Sequence, residues 1–370
     1  MPDLARVLAF RPRAAAISAS EATALVSSYL AGNADCASTP IPDECFYNPD
    51  VLLALSGSLL NQLAVAPQLV ANESVSAFER ISDSSGCGLF DERDYFLGEF
   101  AFLAGTTFRL LGKRELALTW LERADSSFRH TINPAPGLTN VAYARLSLAF
   151  DKGEYVAVSD SVGAVRESFS RLGMSTQEAK CGLLEAAALK QLGRNAAALL
   201  RLEAAAATLR SVSERSLLSR VLVEMGDVYQ LQNETPQAVI YFQQAAALLD
   251  PSETSVFSAD LKMFLGAAYS GQGQFAEAFE ALRAARSDYA ILSMDTRTAY
   301  VSLYLADTLL RLGQPRQAEW EILAALPVIQ GQNMVPECSA AIGLLSESAR
   351  QKKANPEALS EILSRLHSRR

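Results

Sequence analysis

The chain has 370 residues, of which 49% are hydrophobic, enough for a sizeable core and too many for a disordered tail. Its 41 acidic side chains outnumber 33 basic ones, which leaves no electrostatic case for a nucleic-acid partner beyond a local arginine patch. Much of the apolar fraction is alanine and leucine, with few β-branched residues, a bias towards helix.

At the N-terminus, MPDLARVLAFRPRAAA offers a short apolar run that Arg11-Pro12-Arg13 interrupts where a secretory core would continue. No later stretch approaches the roughly 18–20 uninterrupted apolar residues of a membrane span. Neither export nor membrane insertion is therefore expected. The five cysteines, Cys36, Cys45, Cys87, Cys181 and Cys338, include no C-x-x-C pair, and a reducing cytoplasm is the expected compartment. Ser18 and Glu21 have the spacing of a capping box ahead of a helix through about Leu30. NADCASTPIPDECFYNPD, rich in Pro, Asp and Asn, reads as a loop. Helices are expected over 51–63 and 67–81, followed by a second loop, SDSSGCG, at 82–88. Residues 1–95 thus form a helical N-terminal region, either a degenerate repeat that caps the rest of the chain or a small separate domain.

From about residue 96 the chain repeats itself. Relative to Gly266, Tyr269 is three on, Gly273 seven, Phe275 nine, Ala278 twelve, Leu282 sixteen and Ala285 nineteen. The same offsets from Gly226, 40 residues earlier, give Tyr229, Asn233, Thr235, Ala238, Phe242 and Ala245. From Ala306, 40 residues later, they give Leu309, Gly313, Pro315, Ala318, Ile322 and Ala325. The register extends back through Ala186, Leu146 and Gly105, and forward to a worn unit at Ser346, Ala349, Ala358 and Ile362. Seven units over 96–370, centred near 105, 146, 186, 226, 266, 306 and 346, are implied by this register.

Within each unit the apolar positions recur at helical spacing on both sides of a turn, so each unit reads as two amphipathic helices. Gly112, Gly153, Gly193, Gly273 and Gly313 stand where the first helix must stop in a left-handed residue. The small marker residue and the alanine twelve on are expected where the paired helices cross most closely. No unit can bury its apolar stripe alone, so the units must stack.

These residues, L-G-x-x-Y, then G-x-F/Y, then A-x-x-x-F/L-x-x-A, strongly resemble the tetratricopeptide repeat. Leu222 and Lys262 stand where that family usually has tryptophan, and Pro251 is the nearest equivalent of its closing proline. The 40-residue period, against the family's usual 34, is similar to the longer-helix subtype of bacterial sensor arrays. Such arrays occur in large transcription activators and beside caspase-like protease domains. The resemblance covers about 96–370 and implies an all-α fold, a right-handed α-solenoid of stacked antiparallel helix pairs with a helical N-terminal cap.

Candidate chemistry is sparse. Of the two histidines, His130 precedes Asn133-Pro134 and His367 lies beside Arg365, Arg369 and Arg370, both read as solvated helix-end residues. Cys36 and Cys45 flank a proline-rich loop without the histidine or second cysteine pair of a metal site. SGQGQ at 270–274 falls on a helix–helix turn by its place in the repeat and is not read as a phosphate loop. No catalytic residue, cofactor or metal is expected, and the chain does not read as an enzyme.

In the family the first helix of each unit lines the concave groove, with residues three before, one after and four after the marker facing inward. The residues assigned to the groove here are Phe102, Arg109, Tyr143, Lys180, Lys190, Arg220, Val223, Asp227, Gln230, Asp260, Met263, Tyr300, Leu303 and Asp307. For Met263 and Leu303 the competing reading is core packing. The family's Lys/Asn/Arg clamp for a C-terminal carboxylate is not present as a set. The expected groove is basic around 180–190 and acidic with tyrosines around 300–307, suited to a peptide or helix of mixed charge from another protein. A scaffold or adaptor role is expected; the alternative is a sensor array whose curvature changes on binding and controls a separate effector. A spacer or self-associating rod is a third reading.

Overall fold

The computed structural model describes residues 18–34, 48–63, 65–83, 92–250, 254–332 and 334–351. Among them are sixteen α-helices and no strand. The chain divides into two compact units, Met1–Met174 and Ser175–Arg370.

The first unit contains α1 (Ala19–Ala34), α2 (Pro49–Gln62), α3 (Pro67–Asp83), α4 (Arg93–Leu110), α5 (Arg114–Arg129), α6 (Ala135–Asp151) and α7 (Tyr155–Arg171). The capping box at α1 is formed in both directions: the Ser18 amide donates to Glu21 Oε2 at 2.7 Å and the Glu21 amide donates to Ser18 Oγ at 3.3 Å. Asn48, expected in a loop, is the N-cap of α2; its side chain accepts from the Asp50 amide at 2.9 Å, and Pro49 opens the helix. The second expected loop begins later than its composition implied, because Ser82 and Asp83 complete α3. Val26 of α1, Leu55 of α2, Ile81 of α3 and Phe100 of α4 share one buried cluster. A second cluster passes through Ala101, Trp120, Phe128 and Val141, from α4 to α6.

The second unit contains α8 (Ser175–Gln191), α9 (Asn195–Ser211), α10 (Arg215–Leu231), α11 (Thr235–Ala246), α12 (Val256–Gly271), α13 (Phe275–Ile291), α14 (Asp295–Arg311), α15 (Pro315–Gly331) and α16 (Val335–Gln351). Each helix packs on the next, and cores succeed one another through Leu202 and Phe242, Leu282 and Tyr289, then Ile322 and Leu345. α11 is the short helix, at 12 residues, and α12 restarts after it with a capping box between Ser255 and Ser258.

One turn geometry recurs throughout. After α4 the Lys113 amide reaches back five residues to the Phe108 carbonyl at 2.8 Å, around Gly112 at φ +71°. The same backward bond closes the turns at Gly153, Gly193, Asn233, Gly273 and Gly313, between the two helices of a pair. It also closes the turns between pairs, at Gly173, Ser213 and Ser293, where the glycine pattern gave no signal. Seventeen-residue helices such as α13, α14 and α15 joined by three-residue turns of this kind account for the 40-residue period.

The marker glycines lie at the closest approach within each pair. A Cβ on Gly266 would sit 2.5 Å from Leu282 Cγ, and one on Gly226 would sit 2.5 Å from the Phe242 ring. On Gly105 it would meet Leu121 at 2.9 Å. Ala278, Ala238 and Ala117, each twelve residues on from its glycine, are fully buried. Two further glycines, Gly98 of α4 and Gly137 of α6, clasp the Phe128 ring from both sides, with Cβ positions 2.6 and 2.4 Å from it. Ala358 and Ile362 of the seventh unit, together with Pro251, His367, Cys36, Cys45 and Cys87, lie outside the described residues.

Candidate protein-binding faces

α4 shows how the first helix of a unit meets solvent. Between Tyr95 and Arg109 only Tyr95, Glu99, Phe102, Thr106 and Arg109 keep partial exposure; every other residue there is buried. Their spacing of three and four residues places them on one narrow stripe. Arg109 extends from it to α6, where Nη1 donates to Asp151 Oδ2 at 2.7 Å. Tyr143, half-buried on α6, packs edge-on against Phe169 with centroids 6.4 Å apart. Burial pushes the Glu99 carboxyl up to about 7, against a hydrogen bond from Tyr95 that favours its ionised form. The Tyr95 hydroxyl is itself raised, first by burial and then by the Glu99 carboxylate. Sequence reading singled out Phe102 and Arg109 but not Glu99 or Thr106, although Thr106 stands one residue after the Gly105 marker, an offset expected to face inward.

On the second unit, Lys190 of α8 donates to Glu224 Oε2 at 2.8 Å and Asp227 Oδ2 at 2.5 Å, both on α10. Burial opposes its charge, but the two carboxylates outweigh that and hold the ammonium above its ordinary range. Lys190 and Asp227, each expected to line the groove, are therefore committed to each other. Lys180 and Arg220 are exposed on the same two helices, and neither forms an ion pair among the described residues. Crowding by protein lowers the Lys180 ammonium, Arg220 lowers it further, and Glu214 opposes both. Gln230 is half-buried further along α10.

Two expected inward positions are core. Val223 and Leu303 are buried at 6% exposure each, and on α14 the open position beside Leu303 belongs to Tyr304. Tyr300 and Tyr304 meet edge to face with centroids 5.2 Å apart and hydroxyls 3.0 Å apart. Burial, then Tyr300, raises the Tyr304 hydroxyl. Asp307 lies one turn on, with Arg311 at 3.8 Å. Asp260 of α12 is engaged by Arg297 and by the Tyr289 hydroxyl. Met263 is half-buried and packs against the core around Leu282 and Tyr289.

Lys262, in the usual tryptophan position, donates to Asp288 Oδ2 at 2.5 Å, so an ion pair stands where an indole would pack. His130 ends α5 with Nδ1 2.8 Å from the Ser126 carbonyl. Cys181 is buried and Cys338 half-buried. Among the described residues no cluster of His, Cys, Asp and Glu could hold a metal ion, and no helix is long and apolar enough to cross a membrane.

No family model matches the chain, and no curated protein matches it. Solved structures do. The signal transduction ATPase with numerous domains from Pyrococcus horikoshii, which carries a tetratricopeptide repeat sensor, superposes with a TM-score of 0.64 at 12% identity, over 85% of this chain and 51% of that one. The fold is that of a tetratricopeptide-repeat solenoid. A Rap protein complexed with Competence and Sporulation Factor matches at a TM-score of 0.55 and 14% identity, over 93% of this chain and 97% of that one. Aspartyl phosphate phosphatase F from Bacillus subtilis matches at 0.51 and 13%, over 91% and 96%. At these identities the likeness establishes the architecture: an all-α tetratricopeptide-repeat array whose first helices carry the residues described above.

Proposed function

We propose that the chain is a non-enzymatic binding module that holds a segment of another protein on the first-helix faces of its tetratricopeptide-repeat pairs. The observation that carries this reading is the pairing pattern on the second unit. Lys190 is paired within the fold, whereas Lys180 and Arg220 stand exposed on neighbouring first helices and form no ion pair among the described residues. Two cations without an ion-pair partner among the described residues are available to a carboxylate-bearing segment, and arginine offers two-point contact. The tyrosine pair on α14 adds contact area at low entropic cost. The Rap protein bound to its factor supports the use of this fold for holding a partner.

Affinity capture with cross-linking, from lysate of the source cell, tests the reading. The double variant Lys180→Glu, Arg220→Glu should lose the captured partner while keeping wild-type helicity and melting temperature. Undiminished capture by a folded double variant would remove these residues from the interface. Lys190 belongs outside this test, since reversing it would disturb an internal ion pair.

The sensor in the Pyrococcus horikoshii protein favours a second reading, in which binding changes the curvature of the array and so its hold on an effector. X-ray scattering with and without the captured partner's binding segment separates the two. A change in radius of gyration of the array supports the sensor, and identical profiles at saturation leave the scaffold. The phosphatase among the similar structures adds a control: release of phosphate from an aspartyl-phosphate partner would overturn the non-enzymatic reading.

A further inference from the structure

The solvent face of α15, the second helix of its pair, is apolar along most of its length. From Trp320 to Gly331 the exposed residues are Trp320, Leu323, Ala324, Pro327 and Gly331, spaced on one side of the helix, with Arg316 one turn before them. Trp320 is 71% exposed and Leu323 40%. The other second helices of this unit are built differently. α13 has Glu280, Arg283 and Ser287 at the equivalent positions, and Arg283 Nη2 donates to Glu280 Oε2 at 2.6 Å. α9 and α11 expose Leu200 and Ile240 in the register of Trp320, but Glu203 and Gln243 follow them, and the apolar run breaks within one turn.

Two residues of the α15 stripe have no evident reason inside the chain. Pro327 stands within the helix, where it has no amide proton to give the Leu323 carbonyl, and its ring is exposed rather than filling the core. Gly331 weakens the last turn, yet it has no positive φ, and a Cβ there would meet nothing within 4 Å. Trp320 adds an indole N–H that has no acceptor among the described residues.

The stripe is symmetric about a point between Leu323 and Ala324. Trp320 and Pro327 lie equally far from it in opposite directions, and so do Arg316 and Gly331. Two copies of α15 crossing antiparallel on a two-fold axis at that point complement each other. Each Trp320 comes over the partner's Pro327, beside the carbonyl that the proline leaves open, and Leu323 meets its counterpart next to the axis. Each Arg316 arrives at the carboxy-terminal end of the partner helix, where backbone carbonyls favour a cation and Gly331 puts no side chain in the way. A patch complementary to itself is what a closed two-fold dimer requires.

We propose that the exposed face of α15 is a self-association surface, through which two copies of this chain pair antiparallel with Trp320 of each seated on the partner's Pro327. The pairing is independent of the first-helix binding faces and would place two such modules in one particle. One helix face is small for an interface, so the dimer is a reversible one with a Kd of about 10–100 µM.

Sedimentation velocity of the full chain over a concentration series tests this, with tryptophan emission recorded on the same samples. Mass should rise towards a dimer, and emission should shift to the blue in step with it, because Trp120 is already buried and only Trp320 can change its surroundings. Trp320→Glu should remain monomeric throughout at wild-type helicity and melting temperature, since the side chain it replaces is exposed. Arg316→Glu should weaken the dimer about three- to thirtyfold, the helix-end contact being made twice. Leu200→Glu, which removes an exposed apolar residue of the same register, should leave the dimer unchanged. A chain that stays monomeric at several hundred micromolar, roughly ten times the expected Kd, overturns the proposal. So does a dimer that survives Trp320→Glu, or one that Leu200→Glu weakens equally. A blue shift of the monomeric chain on phosphatidylcholine–phosphatidylglycerol vesicles, without self-association, would assign the stripe to a lipid surface and overturn the pairing as well.

Discussion

Gly266 shows how little space a repeat leaves at the residue scale. A methyl there would overlap the Leu282 side chain and approach its backbone nitrogen at 3.2 Å, and α12 and α13 cannot separate without opening the core. Gly266→Ala should destabilise by about 1–3 kcal/mol, read as a lowered denaturant midpoint at an unchanged slope. Glu99 makes a different prediction. Its carboxyl titrates near 7 in the folded chain against an ordinary 4.5, so between those values the native state holds more protons than the unfolded one. Stability must then fall as pH rises through that window. Glu99→Gln removes this loss: it should be nearly neutral at pH 4 and stabilising by about 1–2 kcal/mol at pH 8, after allowing for the solvent contact of a half-buried group. Thermal melts at the two pH values check it; equal effects at both would show that the carboxyl titrates normally.

At the scale of the element, the helices depend on how they stop. Every described turn that carries a positive φ uses a left-handed residue and a bond five residues back. Ser213, Asn233 and Ser293 hold that conformation with a side chain, at φ 58°, 60° and 55°. Asparagine tolerates it, but serine there is strained by about 1–2 kcal/mol. Ser293→Gly should therefore stabilise by about 0.5–1 kcal/mol after the added flexibility of glycine in the unfolded chain. Gly273→Ala, at φ 76°, should destabilise by a similar amount. Chemical denaturation of the pair reads both signs, and a destabilised Ser293→Gly would mean that the serine hydroxyl does something at that turn.

Across the whole molecule, stability in a stacked array is a sum of local pairs and their neighbours. The Gly266→Ala defect should accordingly raise hydrogen exchange in α12, α13 and α14 of the second unit and leave α4 to α6 of the first at wild-type rates. A uniform rise across both units would indicate a single cooperative core instead. The same locality explains how much was legible in advance. Gly105, Gly226, Gly266 and their partners sixteen residues on announced the helix pairs, because packing across a short turn relates residues at fixed separations. Gly98 and Gly137 gave no such signal: each meets Phe128, which lies outside the marker offsets.

What the sequence determined by itself was the repeating frame, because its period, its turn glycines and its small crossing residues all act over short distances along the chain. The tertiary structure decided which charges are free. Lys190, Lys180 and Arg220 look alike as sequence, yet Lys190 meets Glu224 and Asp227 and the other two meet no ion-pair partner among the described residues. It also decided that Val223 and Leu303 are core while Glu99 and Thr106 share the open stripe. Such distinctions depend on how far each helix is rotated against the one a full repeat away. A rotation of a few tens of degrees exchanges buried for open positions without altering the 40-residue register that reveals the fold.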